Sequence, residues 1–309
     1  MVSHAPATAI RVVPAEQAHV TAAAHASQPL AVKADCWRPD GRSFVALSGD
    51  AVVGHARATP NPIHPGRRPL LLEVSPTANY LAVAVPLVRA LQATCTLPLA
   101  LSIEQSDTAR LQLARELGAR VYQMCPPWQY RVTPTMQGWA REVLSKADMQ
   151  VRSAAPSDFS LLADLWTDFY MAQHESWSPT APREQVAECW AEDFDPAAHA
   201  VDLSRSVLVE TAGRHGDTPP ICGAAIAWDP ESEDASEVSI MYLDDDVQRT
   251  VEICIAGVVS RCAAGQVLEI DSHYTLRAEF AAMQQFRQQW GTQNRDWTFL
   301  TEFPPNAAH

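Results

Sequence analysis

The chain has 309 residues, 47% of them apolar, and a formal net charge of −13. That length suits two cores of about 150 residues, and the acidic balance argues against nucleic acid or an anionic membrane surface as a partner. No run approaches the roughly 18 uninterrupted apolar residues of a spanning helix, and the opening MVSHAPATAIRVV lacks the basic start and apolar core of a secretory signal, so a cytoplasmic protein is expected.

The first elements follow directly. An extended Ala9–Val13 leads into an Ala-rich helical stretch near Ala15–Ser27. Ser43–Leu47 and Ala51–Thr59 flank Ser48-Gly49-Asp50 and read as a β-hairpin. Pro60–Pro69 cannot continue a sheet. A strand Leu70–Val74, a helix Ala78–Gln92 carrying Pro86, a buried strand Leu97–Ile103 and a helix Asp107–Leu117 come next, with Asp107 as N-cap and Gly118 past the C-terminus. Proline inside a helix removes a hydrogen bond, so a kink is expected at Pro86.

Pro134–Ala147 reads as a helical connector, and the order of elements then repeats. Met149–Ala154 is extended, Asp158 precedes an amphipathic helix to Tyr170, and Arg183–Glu192 is helical. Strands Ser206–Thr211 and Ile221–Trp228 flank a polar turn, Ala212–Pro220. Strand Glu237–Leu243 passes through Asp244-Asp245-Asp246 to a helix Val247–Ala264, and strand Val267–Asp271 to a helix Leu276–Trp290. Strand Asp296–Phe303 closes the second copy. The expectation is a mixed α/β chain of two tandem domains, residues 1–133 and 149–309 joined by 134–148, each a central mixed sheet flanked by helices.

Seven cysteines (Cys36, Cys95, Cys125, Cys189, Cys222, Cys254, Cys262) are scattered, with no CxxC pair and no Cys/His cluster at zinc spacing. Reduced, mostly buried thiols and no metal site are expected. There is no GxSxG, HExxH, Walker loop or GxGxxG.

Carried by these repeated elements, the order resembles the GNAT (GCN5-related N-acetyltransferase) superfamily over nearly the whole chain. The resemblance implies an acyl-thioester donor bound where a strand passes into the long helix, its pyrophosphate cradled by N–H groups of a Gly-rich turn. In the first copy Val74 to Ala84 has that shape, with Asn79 where Arg or Gln is expected and Ala82 and Ala84 in place of glycines. In the second, Leu243, Gln248 and Arg249 stand there, with Val251 and Ile253 at the glycine positions and three aspartates upstream. The donor is therefore acyl-CoA or the phosphopantetheine of an acyl carrier protein, which needs no pyrophosphate grip.

By the same resemblance, Glu237 is the candidate base, and the first copy has Arg68 instead. The thiol-protonating Tyr expected four residues before the capping glycine is Ala114 in one copy and Arg287 in the other. Tyr242 and Tyr274 are substitutes or packing residues, and His273 stands where the family touches the pantetheine arm. Tyr170, His174 and Trp177, with Glu175 beside them, are the candidate acceptor wall. What the resemblance implies is an acyltransferase acting on an amine of a small metabolite or peptide, with the second domain active and the first degenerate. The alternatives are a non-catalytic ligand- or partner-binding relative, and a resistance protein against a toxic amine.

Overall fold

The computed structural model describes residues 9–26, 29–35, 42–211, 220–229, 235–291 and 296–305. Cys36 and most of the expected turn at 212–220 lie outside these residues. The chain divides into two compact units, Gln123–Thr298 and a first unit of Met1–Tyr122 with Phe299–His309.

In chain order the first unit contains β1 (Ile10–Pro14), α1 (Gln17–Ala24), β2 (Arg42–Ser48), β3 (Ala51–Ala58), β4 (Arg68–Val74), α2 (Tyr80–Gln92), β5 (Leu99–Glu104), α3 (Thr108–Glu116) and the first half of β6 (Arg120–Cys125). Gly49 takes φ 60° in the hairpin turn and Gly118 takes φ 63° after α3, left-handed positions that favour glycine. Asp107 caps α3, accepting from the Arg110 N–H at 2.9 Å. α2 continues through Pro86; the carbonyl four residues earlier belongs to the exposed Ala82, where water can take the place of the missing N–H.

The second unit carries β7 (Gln129–Arg131), α4 (Pro134–Lys146), β8 (Met149–Ser153), α5 (Phe159–His174), α6 (Arg183–Trp190), β9 (Val207–Thr211), β10 (Ile221–Ala227), β11 (Ser236–Tyr242), α7 (Val247–Val259), β12 (Val267–Asp271) and α8 (Arg277–Trp290). Its sheet runs β7-β12-β11-β10-β9-β8. β11 and β12 are parallel and the other paired strands antiparallel. One face packs on α7 and α8 around Val238, Ile240, Leu268 and Ile270. The opposite face packs on α5 around Trp166, Phe169, Ala224 and Met241. The expected connector is no linker: Met136 and Ala140 of α4 are buried in the core shared with α7.

The last strand departs from expectation. β13 (Thr298–Phe303) does not close the second sheet; it lies in the first, whose order is β1-β2-β3-β4-β5-β13-β6. Phe303 is fully buried in the first unit's core, and Glu302 pairs with Arg67 at 3.0 Å and Arg120 at 2.5 Å. The second sheet is instead completed by β7, from the segment expected to end the first domain.

The repeat is visible in packing as well as order. A Cβ at Gly54 of β3 would sit 2.4 Å from Val83 Cγ1 of α2, and one at Gly223 of β10 would sit 2.4 Å from Thr250 Cγ2 of α7. In each copy a glycine lets the long helix approach its sheet.

Candidate active site

Along the parallel pair, Glu237 stands opposite Glu269 and Ser239 opposite Asp271. Side chains alternate along a strand, so these four leave the sheet on one face. It is the α5 face, because the Trp228 indole donates to Ser239 Oγ at 2.9 Å and stacks edge-on against Trp166. Gln129 extends the row, its Nε2 donating to Glu269 Oε2 at 3.4 Å.

Glu237 itself is open to solvent. The protein packed around it, then Asp271 and Glu269, push its pKa up from 4.5 to about 7. Water access softens the burial contribution, so the two carboxylates are the firmer reason for the direction.

The end of α5 supplies an aromatic wall. His174 stacks on Tyr170 at 3.9 Å and tilts against Trp177 at 4.5 Å, at the helical spacing read from the sequence. His174 Nδ1 lies 2.7 Å from the Tyr170 carbonyl oxygen. A carbonyl only accepts, so Nδ1 carries the proton and a neutral ring leaves Nε2 as an acceptor. His273, following β12, meets this wall edge-on, 4.9 Å from Trp177 and 5.3 Å from His174. Its ring is 7% exposed, and its Nδ1 has no partner among the described residues. Burial lowers its pKa against the opposing pull of Asp271, which keeps it neutral at pH 7. Glu175 is exposed beyond the end of α5 and takes no part in the stack.

The structure thus brings His273, Tyr170, His174 and Trp177 together, with Asp271 leading from them to Glu237. At about 3.3 Å per residue, Glu237 lies two residues, ~7 Å, along the strands from the level of Asp271, where β12 ends. Tyr242 packs edge-on against Phe169 at 5.0 Å. Burial and the charge of nearby Glu279 raise its pKa, so it stays a phenol. Tyr274 is a packing residue, T-shaped on Phe280 at 5.1 Å with the Arg277 guanidinium 4.0 Å over its ring.

The donor-turn residues are placed differently. Asp246 caps α7 by accepting from the Arg249 N–H, and Asp244 accepts from Thr250 Oγ1 at 2.7 Å. The Arg249 side chain reaches Asp148 at 3.3 Å, and Gln248 donates to Gln285 at 2.6 Å. Leu243 is 45% exposed, while Val251 and Ile253 are buried in the core. In the first copy Asn79, beyond Val74, caps α2 by accepting from the Ala82 N–H at 3.2 Å, and Ala84 is buried. In both turns a side-chain oxygen already takes a first-turn N–H, the kind of donor a phosphate would use.

Sequence reasoning missed Glu269, Asp271 and Glu279. The first two become site residues only through the register of β12. Glu279 did leave a signal: it falls on the buried stripe of α8 with Ala282, Met283 and Phe286, a carboxyl where the helical period calls for an apolar residue.

No family model matches the sequence, and no curated protein matches it. Solved structures do match in fold. A GCN5-related N-acetyltransferase from Sphaerobacter thermophilus superposes with TM-score 0.56 at 11% identity, covering 86% of this chain and 82% of its own. A tandem GNAT protein from the clavulanic acid biosynthesis pathway gives TM-score 0.50 at 12% identity, covering 97% of this chain and all of its own. A glucosamine N-acetyltransferase region of a fungal multi-domain β-N-acetylglucosaminidase gives 0.54 at 14% identity, over 97% of this chain and 38% of that one. At such identities the likeness is one of fold.

Proposed function

From the tandem GNAT fold of this chain, we propose that it is an N-acyltransferase whose second unit carries acyl groups from a thioester to a cationic amine. The observation that carries this reading is the row of Glu237, Glu269 and Asp271 beside the parallel strand pair, facing the same side as the wall of Tyr170, His174 and Trp177. Carboxylates and aromatic faces both favour a protonated amine. The reacting nitrogen must lose a proton before it attacks, and Glu237, with its pKa near 7, matches that task at neutral pH. The row that runs from Glu237 to Asp271, with the aromatic wall at its far end, suits an extended amine, such as a polyamine or a lysine side chain on a peptide, with water linking the nitrogen to Glu237.

The acyl group arrives on a pantetheine arm, from acyl-CoA or from an acyl carrier protein. A carrier presents the arm without the nucleotide end, so it asks less of the donor turns at Asn79 and Asp246, whose first N–H groups are occupied. The same occupancy favours a second reading, a relative that binds a thioester or amine without transfer.

Isothermal titration of the purified chain with acetyl-CoA, hexanoyl-CoA and acyl carrier protein charged with the same groups separates these readings, followed by product mass analysis with a polyamine, an amino sugar and a lysine peptide. Binding with acylated product supports the transferase, and binding without product supports the second reading. No binding of any donor removes acyl transfer.

A further inference from the structure

Beyond the pairing of Ser239 with Asp271, the parallel strands part: β11 runs on to Tyr242 while β12 ends at Asp271. At this opening the structure collects buried polar atoms that have no hydrogen-bond partner among the described residues. They are Ser272 Oγ, His273 Nδ1 and both carboxyl oxygens of Glu279, on side chains that are 2%, 7% and 0% exposed. Such orphaned atoms are rare in folded proteins, and several within one stretch of chain call for a ligand or a chemical role.

Glu279 is the most costly of them. It stands in the first turn of α8, where the helix N-terminus favours an anion, yet burial outweighs that and Asp271 adds to it, pushing its pKa up to about 8. Ser272 adjoins and opposes the rise, although neither group completes a well-aligned hydrogen bond. At neutral pH the carboxyl therefore keeps its proton, in a place where a leucine would pack better.

We propose that Glu279 is the acid that protonates the sulfur of the departing thiol, when the donor's arm enters the opening between β11 and β12. The role rests on the acyl-transfer reading above. The cationic amine first gives one proton through Glu237 to water; its nitrogen then forms the bond to the thioester carbonyl carbon, and the second proton it sheds as the amide forms also passes to Glu237. The carbon–sulfur bond breaks with its electron pair going to sulfur, and the Glu279 proton joins that sulfur to release a neutral thiol. Glu237 then gives its proton to water, and Glu279 regains one as the thiol leaves and the opening admits solvent. Tyr242, at the end of β11, is the neighbour that must turn aside for the arm.

The test compares wild type with Glu279→Gln by single-turnover acetyl transfer to spermidine, from acetyl-CoA and from S-phenyl thioacetate, across pH 5.5–9.5. Wild type should lose activity with acetyl-CoA above an apparent pKa near 8, as expected for an essential acid. Glu279→Gln should be slower by about 100-fold with acetyl-CoA and should lack that alkaline limb. With S-phenyl thioacetate, whose thiolate leaves without a proton, the loss should shrink to less than about threefold. An equal loss on both donors, as partial unfolding would give, overturns the assignment. So does an alkaline limb that persists in the variant. A wild type that transfers acetyl from neither donor defeats the acyl-transfer reading itself, and this role with it.

Discussion

Replacing Glu279 by Gln should change how the stability of the protein depends on pH, whatever the reaction is. The carboxyl is fully buried without a partner, and its pKa rises from 4.5 unfolded to about 8 folded. Between those values the native state holds a proton that the unfolded state has released, so the stabilisation is complete below pH 4.5 and is lost as pH rises through about 8. At about 1.4 kcal/mol per pH unit the full difference is at most ~5 kcal/mol, and relaxation around a buried charge should leave ~2–4 kcal/mol. Gln cannot ionise, but its amide leaves donors unpaired at a cost of ~1–3 kcal/mol. The two stability curves should therefore cross, with wild type more stable at pH 5 and Glu279→Gln more stable at pH 8.5. Urea unfolding at both pH values, followed by near-UV circular dichroism, measures this. A difference between the proteins that stays constant to within about 0.5 kcal/mol would mean that Glu279 does not sit buried and protonated, and both the placement and its proposed role would fall.

Four further outcomes follow from the geometry. Glu237→Gln should lower kcat by about 10²–10⁴, and the wild-type kcat/KM for acyl transfer should rise with pH through an apparent pKa near 7, an ascending limb that the variant lacks. Trp177→Ala removes one face of the wall around His174 and His273; initial-rate kinetics should show the KM of the amine raised about tenfold, with the donor's KM little changed. Gly223→Ala should cost ~1–3 kcal/mol by overpacking, because the new Cβ lies 2.4 Å from Thr250 Cγ2. Adding Thr250→Ser, which removes that methyl and keeps the hydroxyl bonded to Asp244, should restore part of the loss in thermal melts. Ending the chain at Trp297 removes β13 and with it Phe303 from the first unit's core, so proteolysis should degrade the first unit while 123–297 resists.

The local elements were legible because each has a local cause. The hairpin glycine Gly49, the Asp107 cap and Gly118, and apolar runs of strand length predict β2, β3 and α3 closely, and helix-like spacing already aligned Tyr170, His174 and Trp177. The short β7 escaped because Gln129–Arg131 is three residues long, too few for alternation to register. The site divides in the same way. Glu237 and His273 could be proposed from the family resemblance, and the structure placed His273 against the aromatic wall. Their electrostatic partners could not, because Glu269 and Asp271 face Glu237 only through the parallel register of β11 and β12, a long-range pairing with no trace in local sequence.

The exchange of β7 and β13 between sheets marks the same boundary. From the sequence alone came two copies of one order of elements and, through their resemblance to a known family, candidate residues placed on them. Tertiary structure decided which sheet each end strand joins, since a strand's own residues ask only for a paired edge and an apolar face, and both sheets offer them. It also decided what Glu279 is: on an open helix this residue is an ordinary anion, and only burial at the parting of β11 and β12 makes it an acid that keeps its proton at neutral pH.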